Sequence, residues 1–291
     1  MESERVALKI DPVPEAFWGD PAAGLQRLKG VSPGLAPMVS PMKVIEFKRQ
    51  PYPTAMLVVG FPSHGLVGGI TANFLIESLE MNLIGTVNGD ALPPSVSVVD
   101  GVGVSPIQIW AGAERCGLDG ECEQLLVVKS DAGIDTPLFM GVAEAILRWA
   151  KDKGIRLVVT LEGVNSAEAS EDFVNVVGLV SPHARALLAR EQFSLMGAGL
   201  VSGPSAAFMM KSLEVEVPVL GLLTSASADY PDAAASAKLL EALQPLVPHI
   251  GIDPEPLRRQ AEQIEAGIKA RMRAQREDFQ KLAETQGSMY V

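Results

Sequence analysis

The spacing of apolar and polar positions changes along the chain, and this change predicts alternating strands and helices. Apolar, β-branched runs predict strands over 43–47, 55–59, 125–129, 155–161 and 217–224. Helical spacing predicts helices over 65–79, 137–152, 183–190, 205–213 and 232–247. The run 155–161 is apolar on both faces, as a central parallel strand would be. The alternation predicts one α/β core domain over 42–252, with a mainly parallel sheet flanked by helices.

The segments on either side of this core have different patterns. Residues 1–41 contain six Pro and four Gly with little periodicity, which predicts an extended arm that buries little surface. Residues 253–286 begin with Asp253-Pro254-Glu255, which suits a helix start. Apolar residues then recur three and four apart, so we predict a helix of about 30 residues, where about 11 to 12 is average. This helix either packs on the core or projects and self-associates.

The last five residues, 287–291, are predicted to form a flexible tail, which begins with a Gly-Ser joint and ends in Met289-Tyr290-Val291. A terminal carboxylate is a charge that a pocket with a lysine and backbone donors can capture. Tyr buries a large apolar ring and keeps a hydroxyl for one hydrogen bond. We therefore predict that Met289, Tyr290 and Val291 bind a partner. The alternative is an ordinary frayed terminus.

Composition narrows the classes of partner. The net charge of -11 argues against nucleic acid and anionic membrane, since both favour a basic face. No apolar run has membrane-spanning length, and the first residues do not resemble a signal peptide, so we expect a cytoplasmic protein. Cys116 and Cys122 stand without a second pair or a nearby His, so we expect no metal. The expectation for them is two reduced thiols near a hairpin, with a local disulfide as the alternative.

A glycine-rich stretch, 60–69, connects a predicted strand to a predicted helix. Its candidate anion-binding residues are Gly60, Ser63, His64, Gly65 and Gly68. The spacing fits neither a P-loop nor a dinucleotide fingerprint, and adjacent Ser63 and His64 seldom have nucleophile-base geometry. A structural tight turn is the favoured interpretation, and we predict no catalytic site and no cofactor. The alternative is a phosphorylase-like or nucleotide-binding enzyme that uses this loop. The second glycine-rich stretch, 196–204, suits either a phosphate or close helix packing.

Several motifs, taken in order, give the chain a resemblance to the proteasome assembly chaperone family. Within that family the chain resembles an archaeal homologue of the second assembly-chaperone subunit. The motifs are Gly60-Phe61-Pro62, Gly65-Leu66-Val67-Gly68, Leu92-Pro93-Pro94, Val159-Thr160-Leu161-Glu162-Gly163, Gly197 to Pro204, and Asp232-Ala233-Ala234-Ala235. The resemblance covers about residues 43–265. Glu162 stands where the family usually has Gly, which indicates either a local role or a different backbone.

The resemblance implies a fold similar to phosphorylase-type or hydrolase-like cores, without an established catalytic site. It also implies a chaperone that binds α subunits of the proteasome core particle. In that family, and in proteasome activators, a C-terminal hydrophobic-Tyr-X end enters pockets between adjacent α subunits. Met289, Tyr290 and Val291 match that end position by position. We therefore expect a homo-oligomer whose tails bind the core particle.

Overall fold

A ten-stranded mixed sheet lies at the centre of the protein, and helices cover both of its faces. The structure is a computed structural model that describes residues 41–53, 55–117, 121–165, 176–185, 194–227, 230–259 and 261. Parallel pairing joins β8, β2, β9 and β12 at the centre, and antiparallel strands extend the sheet on both sides. The predicted α/β class, with its mainly parallel core strands, is confirmed.

The element bounds follow the chain order. The strands are β1 (Lys43–Glu46), β2 (Ala55–Gly60), β3 (Asn82–Asn88), β4 (Ser97–Val99), β5 (Val102–Val104), β6 (Ile107–Ala111), β7 (Arg115–Cys116), β8 (Cys122–Ser130), β9 (Leu157–Asn165), β10 (Val177–Val180), β11 (Ser194–Leu195) and β12 (Val219–Ala226). The α-helices are α1 (Val67–Ser78), α2 (Phe139–Lys153), α3 (Pro204–Val215) and α4 (Ala233–Leu243). Short 3-10 turns are His64–Leu66, Thr136–Leu138 and Gln244–Leu246. The main sheet runs β1-β3-β6-β8-β2-β9-β12-β10-β11, with β7 beside β8, while β4 and β5 form a separate hairpin.

The apolar core has two halves, one on each face of the sheet. All six residues of β2 are buried, because successive side chains in a strand point to opposite faces and both faces are covered. Met56 and Val58 pack in the half that contains residues of α1 and α4. Leu57 and Val59 pack in the half that contains residues of α2 and α3. The continuous apolar run in β2 is thus the signature of a strand between two helical layers.

Most predicted elements correspond to observed ones. The five predicted strands match β1, β2, β8, β9 and β12, and four of the predicted helices match α1 to α4. Residues 183–185 form a turn, and the rest of the helix predicted over 183–190 lies outside the described residues. Residues 255–259 and 261 are helical. The remainder of the predicted helix to 286, the arm before residue 41 and the tail 287–291 also lie outside, so the domain bounds stay predictions.

The structure corrects the expectation for the cysteines. Cys116 and Cys122 are joined by a disulfide across the β7–β8 hairpin, so the prediction of two reduced thiols is wrong. The two residues face each other directly in the strand register, which brings their Cα atoms to 4.0 Å. Sequence spacing alone does not reveal that register, because it depends on where β8 begins to pair.

Glycine allows α1 to lie directly against the end of β2. A Cβ placed on Gly60 would lie 2.2 Å from the carbonyl oxygen of Gly68. A Cβ on Gly68 would lie 2.5 Å from the carbonyl oxygen of Phe61 and 2.6 Å from that of Leu161. Backbone atoms cannot move aside as a flexible side chain can. These two glycines therefore set the distance between the helix and the two central strands.

Gly68→Ala tests this contact, with Gly69→Ala as the matched control on the same helix. We expect Gly68→Ala to lower the free energy of unfolding by about 1–3 kcal/mol because the new methyl group is forced into backbone. Gly69 has nothing within 4 Å of its Cβ position. Gly69→Ala should therefore be neutral or stabilising by up to about 1 kcal/mol, through helix propensity. Urea denaturation measures both, and equal stabilities of the two variants would contradict the contact.

Candidate functional site

The strand order reverses between β2 and β9, and this reversal creates a cleft. From β2 the chain passes through α1, on one face, to β3 on one side of the sheet. After β9 the next strand, β10, lies on the other side, and α3 covers the opposite face. The strands that follow β2 and β9 along the chain thus lie on opposite sides of the sheet. In open α/β sheets, this reversal point is where ligands bind.

The cleft at this point has a volume of ≈ 610 Å³ and combines polar and apolar walls. Its lining residues are Pro62, Ser63, His64, Gly65, Leu66, Phe139, Glu162, Ser202, Gly203, Pro204, Tyr230 and Pro231. Three of the five predicted anion-loop residues, Ser63, His64 and Gly65, are thus brought to the cleft. The other two, Gly60 and Gly68, lie in the contact between β2 and α1 and do not line it.

The loop after β2 is fixed by hydrogen bonds to two neighbouring segments. Gly65 and Leu66 both have left-handed backbone angles, with φ of 62° and 53°, and these turn the chain into α1. The Asp232 amide donates to the Gly65 carbonyl oxygen over 2.8 Å, which ties the loop to the start of α4. The Ser63 hydroxyl oxygen accepts from the Gly163 amide over 3.1 Å, which ties it to β9. Ser63 therefore joins two strands at the floor of the cleft.

Glu162 lines the cleft, although it is not among the site residues predicted from the sequence. It follows Leu161 near the end of β9, and the side chain is only 8% exposed. Its Oε2 accepts from the Ser205 amide over 3.0 Å, in the first turn of α3. Gly203 caps that helix with a φ of 94°, and a Cβ there would lie 2.4 Å from Glu162 Oε1. The carboxylate thus lies against the positive end of α3.

This carboxylate changes the interpretation of the second glycine-rich stretch. A free helix N-terminus with glycines in front of it is a common place for phosphate. Here the chain supplies its own anion at α3, and Gly203 provides the space for it. The side chains of Thr160 and Ser205 also share a buried hydrogen bond of 2.9 Å beside it. The geometry therefore favours close packing of α3 on β9 over an open phosphate loop.

Burial raises the pKa of Glu162 above its ordinary value of 4.5. The hydrogen bonds from Ser205 and the charge of His64 act in the opposite direction, but they do not offset the burial. His64 is exposed on the opposite wall of the cleft, where it follows Ser63. The cleft therefore has a titratable carboxyl group at its base and an imidazole at its rim.

No group of three or more His, Cys, Asp or Glu that could hold a metal ion occurs among the described residues. Across those residues, too, no helix is both long and apolar enough to cross a membrane. The predicted partner-binding residues Met289, Tyr290 and Val291 lie outside the residues that the structure describes.

Comparison with known proteins identifies similar folds and sequences. The model of the PAC2 family matches residues 57–272. A Methanocaldococcus jannaschii protein, uncharacterized protein MJ0106, is 24% identical over 232 residues, which cover 80% of this chain and 91% of that protein. Pyrococcus furiosus PbaA, described as an archaeal homolog of proteasome-assembly chaperone, is similar at a TM-score of 0.67 and 24% identity, with coverage of 86% of this chain and 100% of PbaA. Pyrococcus furiosus PbaB, described as an archaeal proteasome activator, has a TM-score of 0.64 and 18% identity, with coverage of 79% and 98%.

These comparisons confirm the family predicted from the motifs, because the PAC2 family model matches most of the chain. The matched range of 57–272 contains the glycine-rich loop, the cleft and α4. The residue that departs from the family pattern, Glu162, lies at the base of the cleft. The matched range ends at residue 272, before the tail, so the family match does not cover Met289, Tyr290 or Val291.

Glu162→Gln should change how stability depends on pH. The folded pKa of Glu162 is raised, so the folded chain binds more protons than the unfolded chain above the ordinary pKa. The stability that Glu162 confers on the wild-type chain is therefore lost as the pH rises from the ordinary pKa to the raised pKa. We expect the free energy of unfolding of Glu162→Gln, relative to wild type, to increase as pH rises from about 4 to about 7.

Glu144→Gln is the control, and its effect should have the opposite sign. Hydrogen bonds from Arg148 and Lys211 lower the pKa of Glu144, so its contribution is present above the ordinary pKa and is lost as pH falls. Glu144→Gln should therefore lose stability relative to wild type over the same rise in pH. Urea denaturation at several pH values measures both variants. Parallel pH profiles for wild type and Glu162→Gln would contradict the effect of burial on Glu162.

Proposed function

Because the chain belongs to the PAC2 family, we propose that it is a proteasome assembly chaperone or proteasome-binding factor that docks its C-terminal residues between α subunits of the core particle. The observation that carries this proposal is the family match over 57–272. The similarity to PbaA and PbaB supports it, since one is described as a chaperone homolog and the other as a proteasome activator. A proteasomal partner also agrees with the cytoplasmic location expected from the sequence.

The tail has the chemistry that such docking needs. The Val291 carboxylate can pair with a lysine and backbone donors of the partner. Tyr290 fills an apolar slot between subunits, and its hydroxyl group donates a hydrogen bond to one acceptor. Met289 packs beside it, because an unbranched thioether side chain adapts to irregular gaps. The Gly287-Ser288 joint lets the last three residues orient independently of the preceding helix.

A homo-oligomer would make this weak contact effective. Three residues bury too little surface for high affinity by themselves. When several tails project from one assembly, binding of the first raises the effective concentration of the others. Closed rotational symmetry is the usual form of a homo-oligomer, and a core-particle ring presents repeated pockets that such an assembly can match.

A second function is favoured by one observation, the cleft at the reversal point of the sheet. Its volume of ≈ 610 Å³ is in the range of small-molecule sites, and it contains Ser63 and His64. A phosphorylase-like or nucleotide-binding enzyme would use these residues. Against this function, the Glu162 carboxylate lies where a phosphate at α3 would bind, and Ser63 already accepts a hydrogen bond from Gly163.

A thermal-shift screen with nucleosides, nucleotides and phosphate tests the enzyme hypothesis, with Ser63→Ala as the control. A shift that Ser63→Ala abolishes would favour the enzyme.

Removal of residues 289–291 should weaken binding to purified α-subunit rings by at least about tenfold, since the removed groups include an aromatic anchor and the carboxylate. Tyr290→Ala should give a loss of similar size. Ser288→Ala is the matched control and should bind as wild type does. Surface plasmon resonance on immobilised rings gives the affinities, and melting temperatures identify any loss through unfolding. Unchanged affinity of the truncated chain would overturn the tail-docking proposal.

The homo-oligomer has its own measurement. Light scattering coupled to size exclusion should give a mass that is a multiple of the 30.8 kDa chain. The truncated chain lacking residues 289–291 should give the same multiple, because the tail binds a foreign partner in this proposal. A monomer at micromolar concentration would contradict the avidity argument and leave the tail as a single weak contact.

A further inference from the structure

The β7–β8 hairpin is short. Among the described residues its register contains two pairs, Arg115 with Glu123 and Cys116 with Cys122, and the Gly117 amide donates to the Glu121 carbonyl oxygen over 2.8 Å. The disulfide between Cys116 and Cys122 is the covalent link across it. Cys116 is exposed, so a thiol in solution can reach its sulfur atom. Exposed disulfides are the ones that undergo exchange most readily.

This hairpin contains Glu123. The neighbouring residues of β8 are held by β2, which pairs from Gln124 onward, and by the Gly112 amide, which donates to the Leu125 carbonyl oxygen over 2.9 Å. Glu123 itself pairs with Arg115 of β7. The pairing of β7 with β8 therefore supports the backbone from which the Glu123 side chain projects.

Glu123 in turn holds a segment near the end of the described chain. The residue is 7% exposed, and its Oε2 accepts from the His249 amide over 3.0 Å. Its Oε1 lies 3.6 Å from Arg156 Nη2, and the same nitrogen donates to the Leu246 carbonyl oxygen over 3.0 Å. Hydrogen bonds that involve an ionised group are stronger than those between neutral groups. One carboxylate on β8 thus binds residues 246–249 directly and through an arginine.

Residues 244–252 behave as one unit in this arrangement. The Gln244 side-chain amide donates to the Ile250 carbonyl oxygen over 3.1 Å, and its oxygen accepts from the Ile252 amide over 3.0 Å. Ile250 and Ile252 are buried in the core half that contains α1 and α4. The described residues that follow, 253–259 and 261, continue from this unit, and Leu257 and Ala261 are buried in the same core half.

We propose that the Cys116–Cys122 pair is a thiol–disulfide exchange site whose oxidation state sets how tightly residues 244–252 are held on the core. The oxidised pair locks β7 on β8 and presents Glu123 to His249 and Arg156. The reduced pair releases β7 and weakens that attachment. The proposal does not depend on proteasome binding. If the tail does dock, the same site sets the origin of the segment that carries it.

The exchange balances with a dithiol as the co-reactant. A thiolate of the dithiol attacks the exposed sulfur of Cys116, a mixed disulfide forms, and the Cys116–Cys122 bond breaks. Cys122 leaves as a thiolate and takes up a proton. The second thiol of the reductant then displaces Cys116, which also takes up a proton. The protein gains two electrons and two protons, and the dithiol becomes a cyclic disulfide.

Hydrogen exchange measured by mass spectrometry on the full chain tests the proposal, with dithiothreitol as the dithiol. The chain has only 2 Cys, so the reductant acts on this pair alone. Reduction should speed amide exchange in 244–252 by about tenfold or more, because opening then no longer has to break the full set of bonds to Glu123. Amides in β9 and β12 should keep their rates. A Cys116→Ser/Cys122→Ser variant should show the faster rate with and without dithiothreitol.

Glu123→Ala gives a second, independent readout. It should speed exchange in 244–252 to a similar extent in both oxidation states, since the acceptor is absent in each. Equal rates in 244–252 before and after reduction of the wild-type chain would overturn the proposal, even if Glu123→Ala loosens the segment. Alkylation of both cysteines in the air-oxidised chain, before any reductant is added, would also overturn it.

Discussion

The closeness of α1 to the ends of β2 and β9 is the constraint on which the rest of the structure depends. Three positions without side chains make it possible, Gly60, Gly68 and Gly163, and a Cβ on any of them would meet backbone at 2.2 to 2.6 Å. Because α1 lies so close to the sheet, the loop before it passes over the ends of β2 and β9. That loop then forms one wall of the cleft and places Ser63 against β9.

The opposite wall depends on Glu162 and Gly203. A Cβ on Gly203 would lie 2.4 Å from Glu162 Oε1, so the absence of a side chain at the start of α3 leaves room for the carboxylate. A helix N-terminus favours an anion, and a buried carboxylate needs donors, so each satisfies the other. The same arrangement leaves the cleft without an open phosphate site at α3.

Residues 244–252 are held on the core by a different set of bonds. Glu123 and Arg156 come from β8 and the start of β9, two elements far apart in the chain, and they meet at residues 246–249. Buried apolar residues such as Ile250 and Leu257 support the same segment. These contacts fix residues 246–249 on the core, and the described chain continues from them to Leu257 and Ala261.

The sequence by itself determined the central strands, the four helices and the family. Continuous apolar runs such as 155–161, and motifs such as Gly60-Phe61-Pro62, are local signals that survive without coordinates. It did not reveal β3, β6 or β10, because polar residues or glycine interrupt their apolar runs and their antiparallel partners lie elsewhere in the chain. Nor did it predict the Cys116–Cys122 bond or the roles of Glu162 and Glu123. Those depend on strand register and on helix ends that meet across the fold, and only tertiary structure decides which distant residues become neighbours.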